Sequence, residues 1–173
     1  MSEELWSRHA RFLKELLPVA EAAGVRLALH PDDPPLEYVR QQPRLVHRHH
    51  LAQRVIDLDT SPSNQLDFCV GTFAEMQDDT LYECLASCSR QRRVAYVHLR
   101  NVHGKAPNYC ETFIDDGDID IAKVVQVLRR TGFDGVIIPD HAPQMSCAAP
   151  WHAGMAYAMG YIKAQLQGLG RVT

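Results

Sequence analysis

The sequence predicts an α/β protein in which four short parallel strands alternate with helices, half the complement of a (β/α)8 barrel. Two features of the chain carry this reading: apolar runs of four to six residues, and stretches of helical periodicity between them, with no low-complexity linker to separate the units. Strands so short and so apolar are buried on both faces, as in a parallel sheet covered by helices.

Each element follows from local signals. From Ser2, residues Leu5, Phe12, Leu16, Val19 and Ala23 recur at helical spacing and end at Gly24, while Pro18 predicts a kink. Residues 25–30 form an apolar strand stopped by Pro31, and Asp32-Asp33-Pro34-Pro35 is loop. A helix over about 50–58 leads to a strand over 66–70, and a helix over about 79–90 leads to a strand over 94–99. A helix capped by the acidic pair Asp116 and Asp118 runs to Arg130, passes Gly132 and feeds a strand over 135–140; a closing helix covers about 154–167. The length predicts a single domain over 1–173. A complete eight-unit barrel takes about 250 residues, so this chain supplies about half of one. At this point a small open parallel α/β sheet, doubly wound, is the structural alternative for four strands.

Charge excludes some partners. Lys and Arg number 18 against 21 Asp and Glu, a net charge of −3 without a basic stripe, which predicts neither nucleic-acid nor anionic-membrane binding. No run reaches the roughly 18 apolar residues of a membrane span, and the N-terminal stretch is charged within its first four residues, so the reading is soluble and cytoplasmic. The five cysteines make an odd number and read as reduced thiols; Cys84 and Cys88, four apart on a helix, read as small apolar residues. The tract His47-Arg48-His49-His50 reads as a helix start rather than a metal site.

The chemistry lies where the strands stop. His30, Cys69, His98 and Asp140 stand at or beside the C-terminal ends of four successive strands, and each is a metal-ligand type. In parallel α/β folds that edge of the sheet is where sites assemble, so one ligand per βα unit brings the four together. Imidazole, thiolate and carboxylate in one set suit manganese, iron or zinc rather than calcium or magnesium.

Five local sequences then carry a resemblance: His-Pro-Asp-Asp-Pro-Pro at 30–35, Phe-Cys-Val-Gly-Thr at 68–72, His-Leu-Arg-Asn-Val at 98–102, Asp-Gly-Asp-Ile-Asp at 116–120 and Ile-Pro-Asp-His at 138–141. In content, order and spacing they resemble mannonate dehydratases over about residues 13–166, without a counterpart to that family's N-terminal half. The resemblance implies a xylose-isomerase-like TIM barrel, loss of water from D-mannonate to give 2-keto-3-deoxy-D-gluconate, and Mn2+ or Fe2+ held by His30, Cys69, His98 and Asp140, with Zn2+ or Co2+ as alternatives. It implies acid/base roles for His141 and Tyr157. Arg100 and Asn101, after His98, and Asp32, in the first loop beside Asp33, are the candidates for binding the carboxylate and hydroxyls of a small sugar acid. Two positions depart from the family pattern: the His47–His50 tract stands where a Ser/Thr helix cap is expected, and Met155 where an arginine is expected.

Two competing readings remain. One is a sugar isomerase or epimerase of the same superfamily, which Cys69 argues against because such enzymes rely on Glu, Asp and His ligands. The other is a truncated, catalytically inactive metal-binding half barrel. Half a barrel leaves two strand edges unpaired, which predicts a homo-oligomer or a separate N-terminal half as partner.

Overall fold

A computed structural model describes residues 2–168, so the ends of the predicted 1–173 domain lie outside the described residues. Helix α1 (Ser2–Ala22) turns Trp6, Leu13, Leu17 and Ala20 inward, carries Pro18 within its span and gives way at Gly24, whose φ of +65° suits only glycine without strain. Then come β1 (Leu27–Leu29), a hairpin of β2 (Tyr38–Val39) and β3 (Gln42–Pro43), and α2 (His49–Asp57). β4 (Asn64–Cys69) runs directly into the short α3 (Val70–Glu75), followed by α4 (Leu81–Arg90) and β5 (Val94–Leu99). A second hairpin, β6 (Asn101–Lys105) with β7 (Asn108–Thr112), precedes α5 (Ile121–Arg130), β8 (Val136–Pro139) and α6 (Pro150–Gly168).

The main sheet has the order β1-β4-β5-β8, and every pairing is parallel. Each new strand adds to the same edge, as in a barrel. A doubly wound sheet reverses direction at a switch point, and this one does not. The alternative of an open doubly wound sheet is therefore set aside.

Burial explains the strand composition. All six residues of β4 are buried, and β5 is buried or half-buried throughout, because helices cover one face and site residues the other. Phe68 and Phe73 stack at 4.0 Å in a core shared with Val97, Leu85 and Val124. The outer strands are less covered: Val136 on β8 is 63% exposed.

One irregularity sets the site. Leu66 pairs with Val94 but Asp67 pairs with Tyr96, so β5 carries an extra residue at Ala95. Such a bulge re-aims the side chains beyond it, and here it puts Cys69 level with His98, on one face.

Two caps differ from expectation. Asp120, not Asp116 or Asp118, caps α5 by accepting from the Lys123 amide at 2.9 Å. Asp118 instead accepts from the Gly104 amide and His103, tying the β6–β7 hairpin down. At α2 the missing Ser/Thr cap is replaced from a distance: the Asp78 carboxylate accepts from the His49 amide at 3.2 Å. The His49 ring contacts Thr80 and the Phe73 carbonyl, a packing role in keeping with a helix start.

Candidate metal centre

Three of the strand-end residues, His30, Cys69 and His98, place one ligand atom each within 4.8 Å of one another. Asp140 joins from beyond β8: its Oδ2 accepts from the Cys69 thiol at 3.6 Å, and its Oδ1 lies 3.7 Å from His98 Nδ1. The four predicted residues thus share one end of the sheet, because each lies within one residue of the end of a parallel strand.

The surroundings orient them. The His30 ring donates from Nδ1 to the Pro31 carbonyl at 2.6 Å, which fixes its tautomer and leaves Nε2 with a lone pair. Asp67, one rung below on β4 and almost fully buried, lies 3.4 Å from His98 Nδ1. Burial raises the Asp67 pKa, opposed by His98. Burial also pushes the Cys69 thiol up to about 12, against the nearby Arg100 charge.

The donor set fits a divalent transition metal on the structure's own terms. His98 Nδ1 is buried and meets only the Asp67 and Asp140 carboxylates, at 3.4 and 3.7 Å and without a well-formed hydrogen bond, and Asp67 Oδ1 is buried without one, a cost that buried polar atoms seldom bear unless something else satisfies them. Two imidazoles, a thiol and a carboxylate are also the mixed nitrogen, sulfur and oxygen ligation such ions accept.

Arg100 is the largest fully buried side chain and is surrounded by acids. Its Nε donates to Asp140 at 3.1 Å, Nη1 to Glu75 at 2.6 Å, and Nη2 to Asp33 at 2.9 Å and Thr72 at 3.2 Å; Glu111 lies 3.7 Å from Nη1. One guanidinium among four carboxylates leaves an excess of negative charge beside the four strand-end residues, a field that favours a cation. Burial pushes Glu75 up to about 7, with Arg100 pulling the other way.

The substrate-binding expectations change here. Arg100 is buried, with N–H groups held by Asp140, Glu75, Asp33 and the Thr72 hydroxyl, which does not leave it exposed as a clamp for a substrate carboxylate. Asn101 is buried and saturated: its amide donates to the Ile114 and Ile119 carbonyls, and its Oδ1 accepts from the Val102 and Ile119 amides. It pins the loop after β7. Asp32 is likewise spent on the segment that follows β3, accepting from the Val46 amide and pairing with Arg44 at 2.7 Å. Its neighbour Asp33 is the one that faces the site, bound by Arg100, Thr72 and Tyr109.

The two proton-transfer candidates part company. His141 sits at the mouth, half-exposed, with Nδ1 2.6 Å from Glu111 and Nε2 3.6 Å from Asp140. Tyr157 on α6 donates instead to Asp115 at 2.6 Å and packs edge-on against Phe113. The structure shows no contact between it and the four strand-end residues. Glu75, Asp67, Glu111 and Tyr109 are site residues that the sequence reading did not select. Burial, then the charges of Glu75 and Asp33, push the Tyr109 hydroxyl up to about 12.

Comparison with known proteins gives the family and the fold. A family model described as D-mannonate dehydratase (UxuA) matches residues 1–170. The chain belongs to the mannonate dehydratase family. A mannonate dehydratase of Streptococcus uberis is 34% identical over 142 residues, 80% of this chain and 40% of that protein. The crystal structure of mannonate dehydratase from Streptococcus suis serotype2 superposes with a TM-score of 0.84 at 30% identity, covering 99% of this chain and 52% of that one. The chain therefore spans about half the length of the mannonate dehydratases it matches. A xylose isomerase domain protein from Alicyclobacillus acidocaldarius, 15% identical with a TM-score of 0.67 over 92% of this chain and 55% of that one, shares the fold. The four-stranded sheet is thus a partial (β/α)8 barrel of the xylose-isomerase kind. No helix among the described residues is long and apolar enough to cross a membrane.

Proposed function

We propose that the chain carries the metal-binding part of a mannonate dehydratase site and takes part in removing water from D-mannonate to give 2-keto-3-deoxy-D-gluconate. The observation that supports this most is the convergence of His30, Cys69, His98 and Asp140 at one sheet edge. These four residues would hold Mn2+ or Fe2+, and the same donors suit Zn2+ or Co2+. Bound there, the ion supplies positive charge to offset the negative charge that builds as a C2 proton leaves.

Proton removal falls to His141. Glu111 accepts from its Nδ1 and so orients the ring, with Nε2 on the side of Asp140, 3.6 Å away, the placement of an oriented proton-transfer group. Tyr157 serves as the acid for the departing C3 hydroxyl only if its own hydroxyl leaves Asp115. With Arg100 and Asn101 committed elsewhere, the sugar-acid carboxylate is left to groups that a covering chain brings.

The open edges at β1 and β8 support a partner: a second copy of the chain or a separate N-terminal half. A cytoplasmic location suits the free cysteines. The test is direct. The Mn2+-loaded chain is incubated with D-mannonate and the 2-keto acid is followed by NMR, beside sedimentation of the same sample. Product that disappears in His141→Asn supports the reading. A metal-loaded chain giving no product rejects turnover by this chain alone and favours the inactive half barrel; ketose formed from an aldose favours the isomerase reading.

A further inference from the structure

We infer that Glu75 is a positioning residue of the metal centre: it anchors Arg100, and through Arg100 sets where Asp140 presents its carboxylate. Because it acts through Asp140, this role depends on the proposed metal site.

Glu75 ends α3 and is fully buried. It touches no solvent and so has no route to substrate. Its Oε1 takes the shortest of the Arg100 hydrogen bonds, at 2.6 Å, while Oε2 has no partner at all. An acid placed for stability would have both oxygens satisfied, since a buried ion pair seldom repays its desolvation and apolar packing does as well. What this one does is hold the guanidinium.

Arg100 is fixed from two sides. A Cβ on Gly71 would stand 2.6 Å from Arg100 Cγ and 2.9 Å from Nε, so the absent side chain of Gly71 makes the channel in which the arginine lies. On the far side the guanidinium divides its charge among Asp140, Glu75 and Asp33. Asp140 Oδ2 is shared between Arg100 and the Cys69 thiol, at 3.1 and 3.6 Å. Arg100 and a bound cation therefore compete for one carboxylate. By drawing the guanidinium toward itself, Glu75 limits that competition and keeps Asp140 available as a ligand.

The test uses the whole chain and Co2+, whose thiolate charge-transfer band reports Cys69 and whose visible spectrum reports ligand geometry. Measured above the value of about 7 to which burial pushes Glu75, Glu75→Gln keeps the shape and removes the charge. It weakens Co2+ binding about 10- to 100-fold, the usual effect of losing a residue that orients a ligand, and alters the visible spectrum. Glu75→Asp keeps the charge and recovers most of the affinity. A folded Glu75→Gln chain with parental affinity and spectrum overturns the inference. Should Glu75→Gln fail to fold, Gly71→Ala decides, because it displaces Arg100 with every charge retained: weakened Co2+ binding supports the role and parental binding overturns it. A parent chain that shows no thiolate band overturns the metal site itself, an outcome distinct from failure of the variants.

Discussion

Replacing Gly71 by alanine tests the packing of the centre with one methyl group. The new Cβ would lie 2.6 Å from Arg100 Cγ and 2.9 Å from Cζ and Nε, whereas carbon atoms in contact sit about 3.5–4.0 Å apart. Arg100 must therefore retreat by about 1 Å. An exposed arginine would do so freely, but this side chain is 1% exposed and tied to Asp33, Glu75 and Asp140. Overpacking of this kind costs about 1–3 kcal/mol, and each charge-assisted hydrogen bond broken adds about 1.5–3 kcal/mol. Against that, alanine is favoured over glycine in a helix by about 1 kcal/mol. With one such bond broken the net loss is about 1.5–5 kcal/mol, and at about 2–4 °C per kcal/mol for a chain of this size it lowers the melting midpoint by about 3–20 °C. Gly160 on α6 is the control. Nothing lies within 4 Å of its Cβ position, so Gly160→Ala stabilises by about 0.4–1 kcal/mol. Circular dichroism melts of the three chains settle the matter. If Gly71→Ala melts at or above the parent, Arg100 is not locked and the account of the charge cluster fails.

Three further outcomes follow from the same geometry. Cys69→Ser abolishes the thiolate band of the Co2+-loaded chain and lowers Co2+ affinity about tenfold or more; an unchanged spectrum would remove Cys69 from the site. Asn101→Ala leaves the Ile114 and Ile119 carbonyls and the Val102 and Ile119 amides without their partner, costing about 2–4 kcal/mol in urea unfolding while Co2+ still binds one per chain; a loss of metal with unchanged stability would reverse that assignment. Glu75 gives a pH signature. Its pKa is raised from 4.5 to about 7, so between those values the folded state holds a proton that the unfolded state has released. This group's contribution is thus most favourable below about pH 4.5 and is lost as pH rises through about 7. Glu75→Gln flattens the fall in unfolding midpoint across that window, and an identical slope in parent and variant would show that Glu75 stays ionised throughout.

How much of this was legible in the chain depends on the reach of each signal. The ligand-type residues could be found because Cys69 ends β4, His98 is the penultimate residue of β5 and Asp140 follows β8, and because parallel winding puts these strand ends at the same edge. Asp32 and Asp33 are adjacent in one turn, and only the tertiary fold decides that Asp33 faces Arg100 while Asp32 holds the segment after β3. The same holds for Asp118 and Asp120 at the start of α5, where two residues of offset separate a hairpin anchor from a cap. Asp67 was hidden inside a strand, where a lone polar residue reads as an outward-facing position. Glu75 was hidden in α3, six residues without enough length for a helical period. Arg100 looked free because its partners at 33, 75, 111 and 140 are 11 to 67 residues away in sequence, and no local pattern reports such distances.

The most direct measurement of the central claim is X-ray absorption at the zinc edge, on the chain loaded with one equivalent of Zn2+. One sulfur at about 2.3 Å, with the remaining ligands nitrogen or oxygen at about 2.0–2.2 Å, is the predicted shell. A shell without sulfur, or one with two sulfurs drawn from the Cys84 and Cys88 pair, would contradict it.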